Sequence, residues 1–189
     1  RNRIIDYAKE KKYDYTLMLD SDVIPPEDII QRLLEHDKDI VSGLYYNFFN
    51  VGGKIKYNPV CWLFLNEIEF EELREKYKLP ETVRTRLDIR RHLTEKEAMS
   101  NELYEVAIPS AGCMLISRKV FAEIRYGKLA SNISKNNVDD DIFFITRARE
   151  KGFKAYCDTS LKCDHLIKGK YEKKGDKFVH IGFKDLRNY

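Results

Sequence analysis

Tyr15-Thr-Leu-Met-Leu-Asp-Ser-Asp-Val-Ile24 is the stretch around which the rest of the chain is organised. An apolar run of strand length ends in Asp20 and Asp22, two carboxylates one residue apart. In a strand, alternate side chains share a face, so positions i and i+2 can reach one spot. The same spacing serves if the strand breaks there into a turn. Burial of Leu17 and Leu19 is expected to fix the backbone and hold two hard oxygen donors at the rim of a sheet. A divalent cation carrying a phosphate binds at such a place. Taken alone, such a pair also serves to solvate a strand end or to cap the next helix, so the partners that the rest of the chain supplies decide.

Working outward, Ile4, Ile5 and Ala8 fall on one side of a short amphipathic helix over 2–12 that leads into the strand. After Asp22, Pro25 and Pro26 precede Glu27 and Asp28, and Ile29, Ile30, Leu33 and Leu34 follow at helical spacing. Proline at the first helical position with acids in the first turn predicts a helix start there. Residues 39–46 read as a second strand, which gives the helix–strand alternation of a layered α/β domain. Gly52, Gly53 and Pro59 predict a loop or hairpin over 47–60, and Cys61-Trp-Leu-Phe-Leu65 a short buried strand. Residues 66–102 hold ten acidic and eight basic residues among few large apolar ones, which predicts a charged, partly helical, solvated insertion.

Apolar character returns over 104–116, where the small residues Ser110, Ala111 and Gly112 allow close approach of a ligand or a strand. Ser117 can cap a helix that carries Val120, Phe121 and Ile124. A polar loop over 126–137 leads to Asp139, Asp140 and Asp141, which open a helix that Lys151-Gly152 closes. Residues 153–158 alternate as a strand, His165 follows, and the tail over about 166–189 is basic.

Composition sets the outer bounds. A chain of 189 residues, 43% hydrophobic, buries one substantial core and is expected to form a single domain over 1–189. A net charge of +3 with 34% charged residues gives no argument for nucleic acid as a partner. Cys61, Cys113, Cys157 and Cys163 contain no Cys-x-x-Cys pair and read as reduced, mostly buried thiols of a cytoplasmic protein. No signal-peptide pattern and no apolar run of membrane-spanning length is present. The chain opens on Arg1 inside a helical pattern, so further sequence is expected before it.

In order and spacing, Leu19-Asp-Ser-Asp-Val-Ile-Pro-Pro26, Asp39-Ile-Val-Ser-Gly-Leu-Tyr45, Ser110-Ala-Gly-Cys-Met-Leu-Ile116, Asp140-Asp-Ile-Phe-Phe-Ile-Thr-Arg-Ala-Arg-Glu-Lys-Gly152 and Cys163-Asp-His165 resemble the GT-A glycosyltransferases, in particular those similar to family 2. The resemblance covers most of the chain except 66–102. It implies an α/β/α sandwich with a mixed central sheet, whose first strands, with much of the nucleotide-base site, would lie before Arg1. It also implies a nucleotide-sugar donor, a saccharide, lipid-linked or protein acceptor, and Mn²⁺ or Mg²⁺ held by Asp20, Asp22 and His165. Asp141 or Asp140 would be the base of an inverting transfer, with a retaining mechanism the alternative. Arg1, Asn2, Ser21, Tyr45, Ser110, Ala111 and Gly112 would contact the substrates. Tyr45, Tyr46 and Trp62 are candidate sugar-stacking surfaces, and core packing is an equal expectation for Trp62. The basic tail is a candidate for peripheral membrane contact.

Two readings of other classes compete. A haloacid dehalogenase-type phosphatase would use Asp20 as nucleophile, and would release phosphate from phosphomonoesters. A non-catalytic binding module would keep the fold and dock its Lys-rich tail on anionic lipid or nucleic acid, with salt-sensitive binding.

Overall fold

A computed structural model describes residues 1–51, 54–127, 140–166, 170–174 and 177–181 of the protein, with side chains described as far as residue 166. Helix α1 (Asn2–Glu10) buries Ile5 and Ala8 and leads into strand β1 (Tyr15–Leu19). Within β1, Thr16 and Met18 are the buried residues, while Leu17 is half-buried and Leu19 is 46% exposed. The expected burial of Leu17 and Leu19 is therefore reversed: β1 lies at an edge of the sheet, and the face beneath α1 is the one fully covered.

β2 (Val23–Ile24) precedes the two prolines, and α2 (Ile29–Glu35) starts three residues after Pro26. Pro25, Pro26, Glu27 and Asp28 form the approach to the helix, with Ile29 N–H on the Pro26 carbonyl at 3.1 Å, so no acid lies in its first turn. A residue that precedes proline is driven to extended backbone, which delays the helix. β3 (Ile40–Leu44) is buried along its whole length, and the chain breaks at Tyr45 before β4 (Tyr46–Val51). β4 and β5 (Lys54–Pro59) form an antiparallel hairpin whose turn glycines lie outside the described residues.

β6 (Trp62–Phe64) pairs with β7 (Arg90–His92), which draws the charged segment between them back onto the body of the protein. That segment contains α3 (Glu67–Lys76), capped by Asn66, a 3-10 turn at Arg86–Asp88 and, beyond β7, α4 (Glu95–Ala98). Phe70, Leu93 and Ala98 are buried, so a few apolar anchors hold a stretch whose composition reads as solvated. Arg91 ties it together, reaching Glu69 at 2.7 Å and both oxygens of Glu97 at 2.8 and 2.9 Å. The Arg91 hydrogen bonds, against the opposing effect of burial and with help from Thr94, hold the Glu97 carboxyl down at about 2 against an ordinary 4.5. A depressed carboxyl pKa contributes stability above the unfolded value and loses it as pH falls. With Glu97 23% exposed, that contribution is on the order of 2 kcal/mol. Glu97→Gln is expected to lower Tm at neutral pH and to flatten the decline of Tm between about pH 4.5 and 2, read by thermal melts across that range.

β8 (Leu103–Val106) and β9 (Cys113–Ser117) come from one apolar run but stand apart in the sheet, whose order is β1-β9-β3-β10-β8. All neighbours are antiparallel except β3 and β10 (Ala155–Lys162), so the central sheet is mixed. Strand alternation sends Ile40, Leu44, Met114 and Ile116 to one face, and Val41, Cys113 and Leu115 to the other. The first face packs under α1, α5 (Arg118–Glu123) and α6 (Asp140–Glu150), the second under α2, which makes a three-layered α/β protein. Ser117 sits at the start of α5, but its hydroxyl donates to Asp39 Oδ1 at 2.6 Å, a charged acceptor, and does not cap the helix. Gly152, at φ +87°, closes the turn after α6.

The four cysteines are free and buried. The expected loop over 126–137 and Asp139 lie mostly outside the described residues, as do the side chains of the basic tail, whose backbone forms a hairpin of β12 (Lys170–Lys174) and β13 (Lys177–Ile181). Among the described residues no helix is long and apolar enough to cross a membrane.

Candidate functional site

Asp20 and Asp22 flank a turn rather than alternating along a strand. Asp20 N–H donates to the Gly112 carbonyl at 2.9 Å, ending β1, and Val23 N–H donates back to the Asp20 carbonyl at 3.1 Å. β11 (Asp164–His165) then pairs antiparallel with β2, setting His165 opposite Val23, and Leu166 N–H donates to the Asp22 carbonyl at 2.7 Å. This short ladder brings the imidazole Nε2 to 3.7 Å from Asp22 Oδ2. His165 Nδ1–H donates to the Tyr46 carbonyl at 3.0 Å, which leaves the lone pair of the neutral ring on Nε2, facing Asp22. The Tyr45 ring packs on the imidazole at 5.0 Å between centroids.

The other carboxylates gather around Arg1. Its guanidinium reaches Asp20 at 3.0 Å and Asp140 at 3.5 Å, pairs with Asp141, and lies over the Tyr126 ring at 5.4 Å. Burial works to lower the pKa of Arg1, but Asp20, Tyr126 and Asp140 outweigh it and the pKa is raised. Asp20, Asp22, Asp141, His165, Tyr45 and Ala111 are among the residues that line one cavity of about 550 Å³, within the roughly 300–1,000 Å³ of small-molecule sites.

The other candidate residues stand elsewhere. Ser21 is exposed at the tip of the turn, outside the cavity lining. Asn2 spends its amide on the backbone of Tyr126, donating to its carbonyl and accepting from its N–H at 3.0 Å each, so it anchors α1 instead of reaching a substrate. Ser110 is wholly buried, its hydroxyl on the Val60 carbonyl at 2.7 Å. Asp140 faces Arg1 but does not line the cavity. Gly112 lies behind Tyr45, whose hydroxyl accepts from Gly112 N–H at 3.2 Å. Burial pushes the Tyr45 hydroxyl up to about 12, which keeps it neutral in that bond.

Gly112 has a packing role. A Cβ there would meet the Tyr45 hydroxyl oxygen at 2.8 Å and its ring at 3.0 Å. Gly112→Ala is expected to displace Tyr45, and with it the ring against His165, at a cost of about 1–3 kcal/mol. A lowered Tm that is relieved when Tyr45→Leu is added would establish that contact as the cause.

The set of Asp20, Asp22 and His165 expected from the sequence does not close on a common point, because Asp20 turns to Arg1. Among the described residues, no group of three or more His, Cys, Asp or Glu side chains is arranged to hold a metal ion. The sequence reading missed Asn47, Phe49, Arg90, Ile108 and Pro109, which also line the cavity, and left Trp62 divided between core and site. Alternation along β4 could have paired Asn47 with Phe49, but nothing in the charged insertion singled out Arg90.

No protein-family model and no curated protein matches the chain. Among solved structures it is similar to A197 from STIV, at 16% identity and a TM-score of 0.49, over 95% of this chain and 73% of that one.

Proposed function

We propose that the protein is a nucleotide-sugar glycosyltransferase of the GT-A type, dependent on Mn²⁺ or Mg²⁺, that transfers a sugar with inversion to an acceptor hydroxyl of a saccharide, lipid-linked or protein acceptor. One observation carries the reading: Asp20, Asp22, Asp141 and His165, drawn from opposite ends of the chain, line a single cavity. Asp22 and His165 offer an oxygen and an imidazole nitrogen side by side. Such a pair suits a cation that takes one or two ligands from protein and the remainder from phosphate and water oxygens. When bound, the cation supplies Lewis-acid stabilisation of the charge that builds on the leaving diphosphate.

The chain's own groups do the rest. The Tyr46 carbonyl fixes the imidazole tautomer, as the outer partners of metal-ligating histidines do. Arg1 holds Asp20 and Asp141 on either side of its guanidinium, and the Asp141 carboxylate takes the proton of the attacking hydroxyl. The phosphatase alternative finds no lysine beside Asp20 among the described residues; the cation there is Arg1. A thermal-shift screen of nucleotide sugars, with and without Mn²⁺, tests the proposal. It predicts stabilisation that needs both partners, and a Tm unmoved by every pair would refute it.

A further inference from the structure

One wall of the cavity is aromatic and bears a cation that the transfer chemistry leaves unused. The pairing of β6 with β7 sets Trp62 opposite His92 and Phe64 opposite Arg90, so these four side chains share one face of the ribbon. Leu63 and Arg91 take the other face, where Arg91 is consumed by Glu69 and Glu97. Arg90, on the cavity side and exposed, has no carboxylate partner among the described residues. Its charged neighbour is Arg149, which donates to the carbonyls of Val106 and Ala107 at 2.9 and 2.7 Å instead of meeting a carboxylate. Burial first, and then Arg90, pushes the Arg149 pKa down. Two guanidiniums therefore stand close together, with Glu105 the acid that acts on Arg149, and neither forms an ion pair among the described residues.

The aromatic part is built rather than incidental. His92 donates Nδ1–H to the Pro59 carbonyl at 2.8 Å and packs against Trp62 at 4.6 Å and Phe49 at 4.7 Å between centroids. Phe49 meets Trp62 edge-on at 5.8 Å. Phe49 and Trp62 remain only half-buried and both line the cavity, with Asn47 two positions before Phe49 on the same side of β4.

We propose that this wall binds an anionic saccharide, its ring against Phe49 and Trp62 and its carboxylate or phosphate oxygens on the Arg90 guanidinium. That this saccharide is the acceptor rests on the glycosyltransferase reading above. A guanidinium matches a carboxylate or phosphate with two parallel N–H donors, while a neutral sugar leaves it unpaired. The polarity of the cavity orients the ligand: Asp22 and Asp141 repel an anion from their own wall, so the charged substituent turns to Arg90 and a hydroxyl is left towards Asp141.

Trp62 is the one tryptophan in the sequence, so its fluorescence reports this wall directly. The full chain, without nucleotide or divalent ion, is titrated with methyl glucuronide, glucose 1-phosphate, neutral methyl glucoside and inorganic phosphate. A saturable change is expected with the acidic sugars, tighter than the neutral sugar by about tenfold or more, the worth of a charge-assisted contact. Arg90→Gln should bring the acidic sugars down to the level of the neutral one. Equal binding of acidic and neutral sugars, an unchanged preference in Arg90→Gln, or inorganic phosphate as tight as glucose 1-phosphate would each overturn the proposal. The Mn²⁺-dependent shift of the wild-type chain is read separately. If it is absent while the titration succeeds, the transferase reading fails and the saccharide site stands. If it is present while the titration fails, transfer stands and the anionic acceptor falls.

Discussion

Asp22→Ala is expected to leave the fold standing and to remove the Mn²⁺-dependent response to nucleotide sugars. The fold survives because Asp22 contributes to it through its backbone: the carbonyl that receives Leu166 N–H is present in alanine, and the side chain is 33% exposed. The lost oxygen is the partner that faces His165 Nε2. A ligand at about a hundred times its Kd stabilises a protein by about 2.7 kcal/mol. For a chain of this size that is a rise in Tm of roughly 5–10 °C. The wild-type protein should show that rise and Asp22→Ala none, with equal Tm values in the absence of ligand. A variant that keeps the full Mn²⁺-dependent shift would move the cation away from Asp22.

Asp141→Asn should retain that shift and lose transfer by about 10²–10⁴-fold, the range for removal of a general base. Asparagine preserves shape while giving up the proton-accepting charge, and Arg1 keeps its contacts with Asp20 and Asp140. Asp140→Asn provides the contrast, because that carboxylate stays outside the cavity lining. Single-turnover transfer measured for both variants discriminates them. Loss in Asp140→Asn with Asp141→Asn unaffected would shift the base by one residue.

Where side-chain periodicity and turn chemistry act locally, the sequence was readable. The amphipathic α1, the hairpin marked by Gly52-Gly53, and α6 with Gly152 behind it all follow from patterns that neighbouring residues enforce on each other. What was not readable is what the chain does at long range. The run over 104–116 looks continuous, yet it splits because Ala107–Gly112 must carry the backbone from one side of the sheet to the other. The site was legible in part for the same reason. Asp20, Asp22, Asp141 and His165 stood out by residue type, but the two-residue ladder that sets His165 beside Asp22 is too short to leave a pattern. Asn2 and Ser110 looked like ligand-binding groups because small polar residues serve equally well as internal ties to backbone. Arg90 was lost in a segment where charge alone reads as solvation, and only its pairing opposite Phe64 separates it from Arg91.

The grip of Arg1 on its neighbours has a consequence for the sequence of events at the cleft. One guanidinium faces Asp20, Asp140 and Asp141, and Asp22 adds a further negative charge beside the His165 imidazole. The vestibule is thus acidic on balance, and a pyrophosphate arriving unaccompanied meets repulsion. A dication offsets most of that charge. On the transferase reading, loading would therefore be ordered, metal ahead of nucleotide or the two as a preformed salt, and rising ionic strength would weaken the first arrival more than the second.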